Sequence, residues 1–196
     1  YLDISKNDKY DIKRGDQNYP NRNNFLEIIK DVAKVTFMPM TVGGKINSLC
    51  DIERRLKLGA DKISINSRAI TNIEFVEESA REFGSQCIVV SVDAKIKNDK
   101  HYVYNNKTSS ISQFDVLEYC KKVESCGAGE ILLNSVDRDG SGDGYDIKLL
   151  QYISDEISIP VIACGGVGDW HHFTEAFNKT KVDAPSMNTL KLTILN

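Results

Sequence analysis

Two stretches of this chain repeat one arrangement of residues suited to holding an anion. Pro39-Met40-Thr41-Val42-Gly43-Gly44 is followed, one helix later, by Gly59-Ala60-Asp61-Lys62-Ile63-Ser64-Ile65-Asn66-Ser67. Pro160-Val161-Ile162-Ala163-Cys164-Gly165-Gly166 is followed, one helix later, by Lys181-Val182-Asp183-Ala184-Pro185-Ser186-Met187-Asn188-Thr189. Each copy reads as strand, Gly-Gly loop, helix, Asp, short strand, then Asn plus a hydroxyl residue. Backbone N–H groups freed by glycine, a helix N-terminus and a small hydroxyl together form an anion site. Two such cradles, around Gly44, Asn66 and Ser67 and around Gly165, Gly166, Asn188 and Thr189, point to a substrate with a phosphate at each end.

Between the cradles stand carboxylates. Asp93 closes the apolar run Ile88-Val89-Val90-Ser91-Val92, and the Ala94-Lys95 behind it opens no helix that it could cap, so a functional role is favoured over a capping one. Asp137, Arg138 and Asp139 follow the apolar run 131–135, with Gly140 and Gly142 behind them. They form either a self-satisfied turn or a group that orients a hydroxyl or phosphate, with the Gly140 N–H donating. Asp3, at the end of the first apolar stretch, holds the equivalent strand-tip position. Lys62 and Glu130 begin their strands and belong at the opposite end, as solvated rim charges or as part of an ion-pair ring. His101, His171 and His172 have no metal-ligand spacing and read as surface residues, and Trp170 reads as packing at a helix start. No Walker loop or nucleophile elbow is present, and no cofactor or metal is expected.

The elements that must place these groups alternate almost without break. Strands are predicted over 37–42, 62–66, 87–94, 130–135, 160–164 and 184–188, with the end of another at 1–4. Helices are predicted over 24–33, from Ser48 to about 58, from Asn72 as cap to 83, and over 117–126, 147–153 and 171–177, with Gly59, Gly84 and Gly127 as stops. A short β-prone run at 102–104 reads as a hairpin excursion. Strict βα order means a parallel sheet with right-handed crossovers. A doubly wound sheet would carry one Gly-rich turn at its switch point, whereas a (β/α)8 TIM barrel uses the loop after every strand. Polar or Gly-rich loops after every strand, repeated at half the chain, favour the barrel. Its 196 residues make one domain, 1–196, that reads as a truncated barrel lacking the first βα unit and the last helix. A formal net charge of -3 gives no basic footprint for nucleic acid, and no apolar run has the ~18 residues that span a bilayer. Five cysteines without a C-x-x-C pair read as reduced thiols in a cytoplasmic protein.

With these motifs in place the chain resembles the cyclase subunits of imidazole glycerol phosphate synthase, the HisF family. The resemblance is carried by Leu2-Asp3-Ile4, Thr41-Val42-Gly43-Gly44, Gly59-Ala60-Asp61-Lys62-Ile63-Ser64-Ile65-Asn66, Phe83-Gly84-Ser85-Gln86-Cys87 and Val92-Asp93-Ala94-Lys95. It continues through Gly127-Ala128-Gly129-Glu130-Ile131-Leu132-Leu133, Asp137-Arg138-Asp139-Gly140 and Gly144-Tyr145-Asp146, so that it covers roughly residues 38–184. It implies a barrel of two similar halves and a lyase reaction in histidine biosynthesis. Ammonia from a HisH-like glutaminase subunit at the N-terminal face of the barrel attacks a bisphosphorylated phosphoribulosyl aminoimidazole carboxamide ribonucleotide. Cyclisation and cleavage give imidazole glycerol phosphate. Two strand-end aspartates act as acid and base. Asp93 matches one, and the other lies on a first strand that this chain does not contain, so 1–196 alone is expected to be nearly inactive. Asn66 and Ser67 match one phosphate site, and Asp139, Gly140, Gly166, Asn188 and Thr189 match the other. Lys62 and Glu130 match an ammonia gate, and Asp61 a position at the glutaminase-facing end.

Some residues depart from the family pattern. Lys45 replaces a third glycine and either clamps phosphate or closes the backbone approach; Pro185 removes a strand N–H. The tail 190–196 leaves the family's last loop and helix, and residues 6–24 form a long charged loop. That loop and Lys45 keep open a related branch that serves surface-polysaccharide (lipopolysaccharide) biosynthesis with the same partner type. The sister isomerase, which makes the phosphoribulosyl substrate, is disfavoured by Lys62, Glu130 and the Gly-Ala-Gly-Glu run. A non-catalytic phosphate- or partner-binding remnant is the reading from another class. An incomplete barrel would leave sheet edges bare and the chain poorly stable alone.

Overall fold

The computed structural model describes residues 2–3 and 24–187. Helix α1 (Phe25–Ala33) starts at Asn24, whose side chain accepts the Glu27 N–H. Helix α2 (Leu49–Lys57) starts at Ser48, the cap the sequence predicts, and Asp51 closes a reciprocal capping box with it. Short strands β1 (Thr41–Gly43) and β2 (Lys62–Ile65) bracket α2, and α3 (Ser67–Thr71) and α4 (Glu74–Phe83) follow. Strand β3 (Ile88–Lys97) then continues into a hairpin of β4 (Lys100–Asn105) and β5 (Ser110–Asp115). Helix α5 (Val116–Ser125), β6 (Glu130–Ser135), α6 (Ile147–Ser154), β7 (Val161–Cys164), α7 (His171–Lys179) and β8 (Ala184–Pro185) complete the described order.

The parallel strands pair in the order β1-β2-β3-β6-β7-β8, and Leu2 bridges to Gly43 in the parallel sense. Spatial order equals chain order throughout. A doubly wound sheet reverses at a switch point, and this one does not. The sheet also curls: Lys62 on β2 pairs with Glu130 on β6, although β3 lies between them. Two strands that flank a third lie ~10 Å apart in a flat sheet, and a concave face brings such a pair closer. The architecture is a partial (β/α)8 barrel. Period-two alternation sorts its residues. Lys62, Ser64, Asp93, Glu130 and Asn134 face the concave side, and Ile63, Ile65, Val90, Val92, Ile131 and Leu133 face the helices at 0% exposure. Each fully buried aliphatic side chain of this kind contributes about 1.5–3 kcal/mol.

Several expectations are corrected here. The first cradle strand begins at Thr41 rather than 37: the Met40 N–H is taken by the Asp61 carboxylate at 2.7 Å, and Phe37 stands 99% exposed before it. Asn72 does not cap the next helix. It ends α3, a short helix the periodicity did not reveal, and α4 begins one residue after Ile73. Strand β3 does not stop at Ala94, because its last residues pair with β4 from Ala94↔Val103 to Lys97↔Lys100. Trp170 is 65% exposed and stacks on His171 instead of packing. Pro185 lacks an N–H yet stays in register with Ala163, because the next residue, Ser186, donates to the Ala163 carbonyl at 2.7 Å. The predicted segments 6–23 and 190–196 lie outside the described residues.

Candidate active site

The duplication legible in the sequence is reproduced bond for bond. In the first half the Asp61 N–H donates to the Met40 carbonyl at 2.9 Å and its carboxylate accepts the Met40 N–H. In the second half the Asp183 N–H donates to the Val161 carbonyl at 3.0 Å and its carboxylate accepts the Val161 N–H at 2.9 Å. Met40 therefore corresponds to Val161. Counted from there, Gly44 and Lys45 correspond to Gly165 and Gly166, and all four have positive φ: +90°, +53°, +88° and +97°. Left-handed backbone costs a residue with a Cβ roughly 1 kcal/mol more than glycine, so Lys45 holds a conformation built for glycine. Its ammonium lies 3.5 Å from the Asp3 carboxylate, which is almost wholly buried.

Gly44 and Gly166 are also required for space. A Cβ on Gly44 would lie 2.2 Å from the Asp3 carbonyl oxygen, and one on Gly166 would lie 2.2 Å from that of Gly144. The Gly144 N–H in turn donates to the Gly166 carbonyl at 2.8 Å, tying the loop after β6 to the loop after β7. Gly140 differs: its φ is +79°, but nothing lies within 4 Å of an added Cβ. Asp139 sits in the same loop with its N–H on the Ser135 carbonyl, and the Asp137 carboxylate accepts the Ile96 N–H at 2.7 Å, a structural tie to β3.

Asp93 lies where the parallel pairing of β3 ends, opposite Asn134 in register, and is 6% exposed. Asn134 Nδ2 donates to its Oδ1 at 2.9 Å; Asn66 Nδ2 and Asn106 Nδ2 donate to its Oδ2 at 3.0 and 2.5 Å. Asn66 also holds the Ser91 carbonyl, and Ser67 Oγ donates to Asn66 Oδ1 at 3.3 Å. Burial pushes the Asp93 carboxyl above the usual carboxylate range; the three amides work against that rise and the nearby Asp139 charge adds to it. A buried carboxyl held this way is placed to give and take a proton.

Asn66 and Asn134 each lie four residues along a strand from Lys62 and Glu130, on the same face. The ion pair and the carboxylate therefore mark the two ends of the concave side, ~13 Å apart. Lys62 and Glu130 form a pair rather than solvated rim charges. Asn188 and Thr189 lie outside the described residues. The structure brings together Asp3 with Gly44 and Lys45, Asp93 with Asn66, and the loops of Gly140 and Gly165–Gly166 along the same sheet edge.

Sequence reasoning missed Asn106, Asn134 and the partner of His101. Asn134 had a signal, a polar residue at the inward period-two position of an apolar strand. Asn106 had none, because its contact depends on how a hairpin folds back. His101 is not a surface residue: its Nε2 lies 3.1 Å from the Asp146 carboxylate, which also caps α6 through the Leu149 N–H. Burial opposes ionisation of Asp146, but His101, the Leu149 N–H and the Arg138 charge outweigh it and hold its carboxyl below the usual range. That contribution is complete above the unfolded carboxylate range and is lost as pH falls through the folded one. Asp146→Ala is expected to cost about 2 kcal/mol and Asp146→Asn, which keeps the cap, about half. Urea midpoints measured on acidification check this: the difference between wild type and Asp146→Asn should shrink, and a constant difference would contradict it.

Among the described residues no group of three or more His, Cys, Asp or Glu is placed to hold a metal ion, and no helix is long and apolar enough to cross a membrane. None of the five cysteines is in a disulfide. With the geometry in hand, the model of a family described as "Histidine biosynthesis protein" matches residues 16–185. The chain belongs to that family. It is 51% identical over 167 residues to the imidazole glycerol phosphate synthase subunit HisF of Hydrogenobaculum sp. (strain Y04AAS1), covering 85% of this chain and 66% of that protein. The subunits of the same name from Bacillus cereus strains G9842 and Q1 are 48% and 47% identical over 164 residues, covering 83% of this chain and 65% of each. The chain thus spans about two thirds of the length of these relatives, and their names agree with the histidine reading.

Proposed function

We propose that this chain supplies the cyclase chemistry of an imidazole glycerol phosphate synthase, using ammonia and a bisphosphorylated phosphoribulosyl substrate. The observation that carries the reading is Asp93, a buried carboxylate at the carboxyl edge of a singly wound parallel sheet, flanked by two duplicated glycine cradles. In barrels of this kind the carboxyl edge is where chemistry is placed. Gly44, Lys45, Asn66 and Ser67 take one phosphate; Asp139, Gly140, Gly165, Gly166, Asn188 and Thr189 take the other; and Asp3 holds Lys45 in place. Asp93 serves as one of two acid–base groups. A glutaminase subunit docks at the opposite end, where the Lys62–Glu130 pair controls passage of ammonia, and thiols outside disulfides fit a cytoplasmic setting.

Turnover of the phosphoribulosyl substrate with ammonium salts by the full-length protein tests this reading. Binding of the bisphosphate without turnover would favour the non-catalytic remnant. The gate has its own test. Glu130→Gln is expected to lower glutamine-dependent turnover several-fold in the presence of the glutaminase while sparing turnover with free ammonium. Equal losses in the two assays would remove the gate from the proposal.

A further inference from the structure

Two of the three amides on Asp93 belong to the barrel sheet: Asn134 lies within β6, and Asn66 directly follows β2. The third does not. Asn106 follows β4, at the turn of the hairpin that leaves the sheet after Ala94. Its place is set by its neighbour: the buried Asn105 accepts the Lys107 N–H on its side chain at 3.0 Å, and Thr108 Oγ1 contacts Ser110 Oγ at 2.7 Å across the turn. A second anchor, His101 on Asp146, ties β4 to the start of α6. The hairpin is thereby held with one donor aimed at the buried carboxylate.

An ionised carboxylate offers about two lone-pair sites on each oxygen. Asn66 and Asn106 together occupy both on Oδ2, whereas Oδ1 accepts only Asn134 among the described residues. With the hairpin in place, the open site for a proton is on Oδ1. We propose that Asn106 is a positioning residue that acts through Asp93: it closes Oδ2, fixes the plane of the carboxylate and directs proton transfer to Oδ1. This rests on the reading of Asp93 as an acid–base group. Among the described residues, the titratable groups that act on Asp93 are Asp139, from the loop after β6, and Cys164, at the end of β7; neither is on the hairpin, so removing Asn106 leaves both in place.

The test uses Asn106→Ala and Asp93→Asn in the full-length protein. Three readouts are the pH profile of turnover, the carbon-13 titration of the Asp93 carboxyl and the thermal melt. Losing a donor to the ionised form should move the Asp93 titration and the acid limb of the profile toward higher pH. It should lower kcat about tenfold with KM within about twofold, because geometry at the reacting group is altered while phosphate binding is not. Asn106→Gln keeps a donor amide and should move the titration less, which keeps the test open if alanine unfolds the hairpin. A lower melting temperature with an unmoved Asp93 titration would overturn the proposal and leave Asn106 a packing residue. Full turnover in Asp93→Asn would instead overturn the reading of Asp93 itself. Loss in Asp93→Asn with an unchanged titration in Asn106→Ala would overturn the Asn106 role alone.

Discussion

Asp93→Asn is expected to lower kcat by ~10²–10⁴-fold, the range over which a positioned acid or base acts, while the bisphosphate ligand still binds. The same substitution should not destabilise the fold. The Asp93 carboxyl is held above its usual range by burial, so the native state binds more protons here than the unfolded chain. Stability then falls as pH rises through the window between the unfolded and folded values, and once ionised the buried charge weakens the fold. Asparagine removes that charge. The amide it introduces can be met by Asn134, whose Oδ1 is buried without a partner. Melting temperature and steady-state kinetics on one preparation decide the matter. A large loss of stability accompanying the loss of turnover would mean that Asp93 is a structural residue, and the proposed function would lose its main support.

Gly166→Ala is expected to be strongly damaging for so small a substitution. The new Cβ would meet the Gly144 carbonyl oxygen, and the φ of +97° is strained for alanine. Strain and overpacking together cost roughly 2–5 kcal/mol, or about 4–20 °C in Tm for a domain of this size. Gly140→Ala is the matched control. It has a similar φ of +79° but open space around the added carbon, so only the conformational part, roughly 1 kcal/mol, should appear. The consequence also reaches function, because the Gly144–Gly166 bond joins two loops of the second cradle. Equal melting temperatures for the two variants would show that the loops move apart freely and do not form a fixed cradle.

Much of this site was legible before any coordinates. Gly44, Gly165 and Gly166 stand out because few other residues tolerate their backbone, and Asp93 because a carboxylate at the end of an apolar run has no packing reason to be there. The duplication was legible as well: Asp61 and Asp183 recur 21 and 22 residues beyond Met40 and Val161, each of which follows a proline. What escaped notice depends on long-range placement. Asn106 is 13 residues from Asp93 and His101 is 45 from Asp146, and no local rule relates them. Apolar character alone points to a strand over 37–42, but side-chain capture of the Met40 N–H by Asp61 moves the start to Thr41.

The sequence by itself determined the order of elements, their period and the chemistry of the strand tips, since these follow from local propensity, alternation and turn chemistry. Only the tertiary structure decided which amides meet the carboxylate, that Lys62 and Glu130 pair across an intervening strand, and that Lys45 rests against Asp3. The reason is geometric. Alternation assigns a side chain to a face, but curvature of the sheet decides which residues on that face come within hydrogen-bonding distance, and curvature is a property of all the strands together.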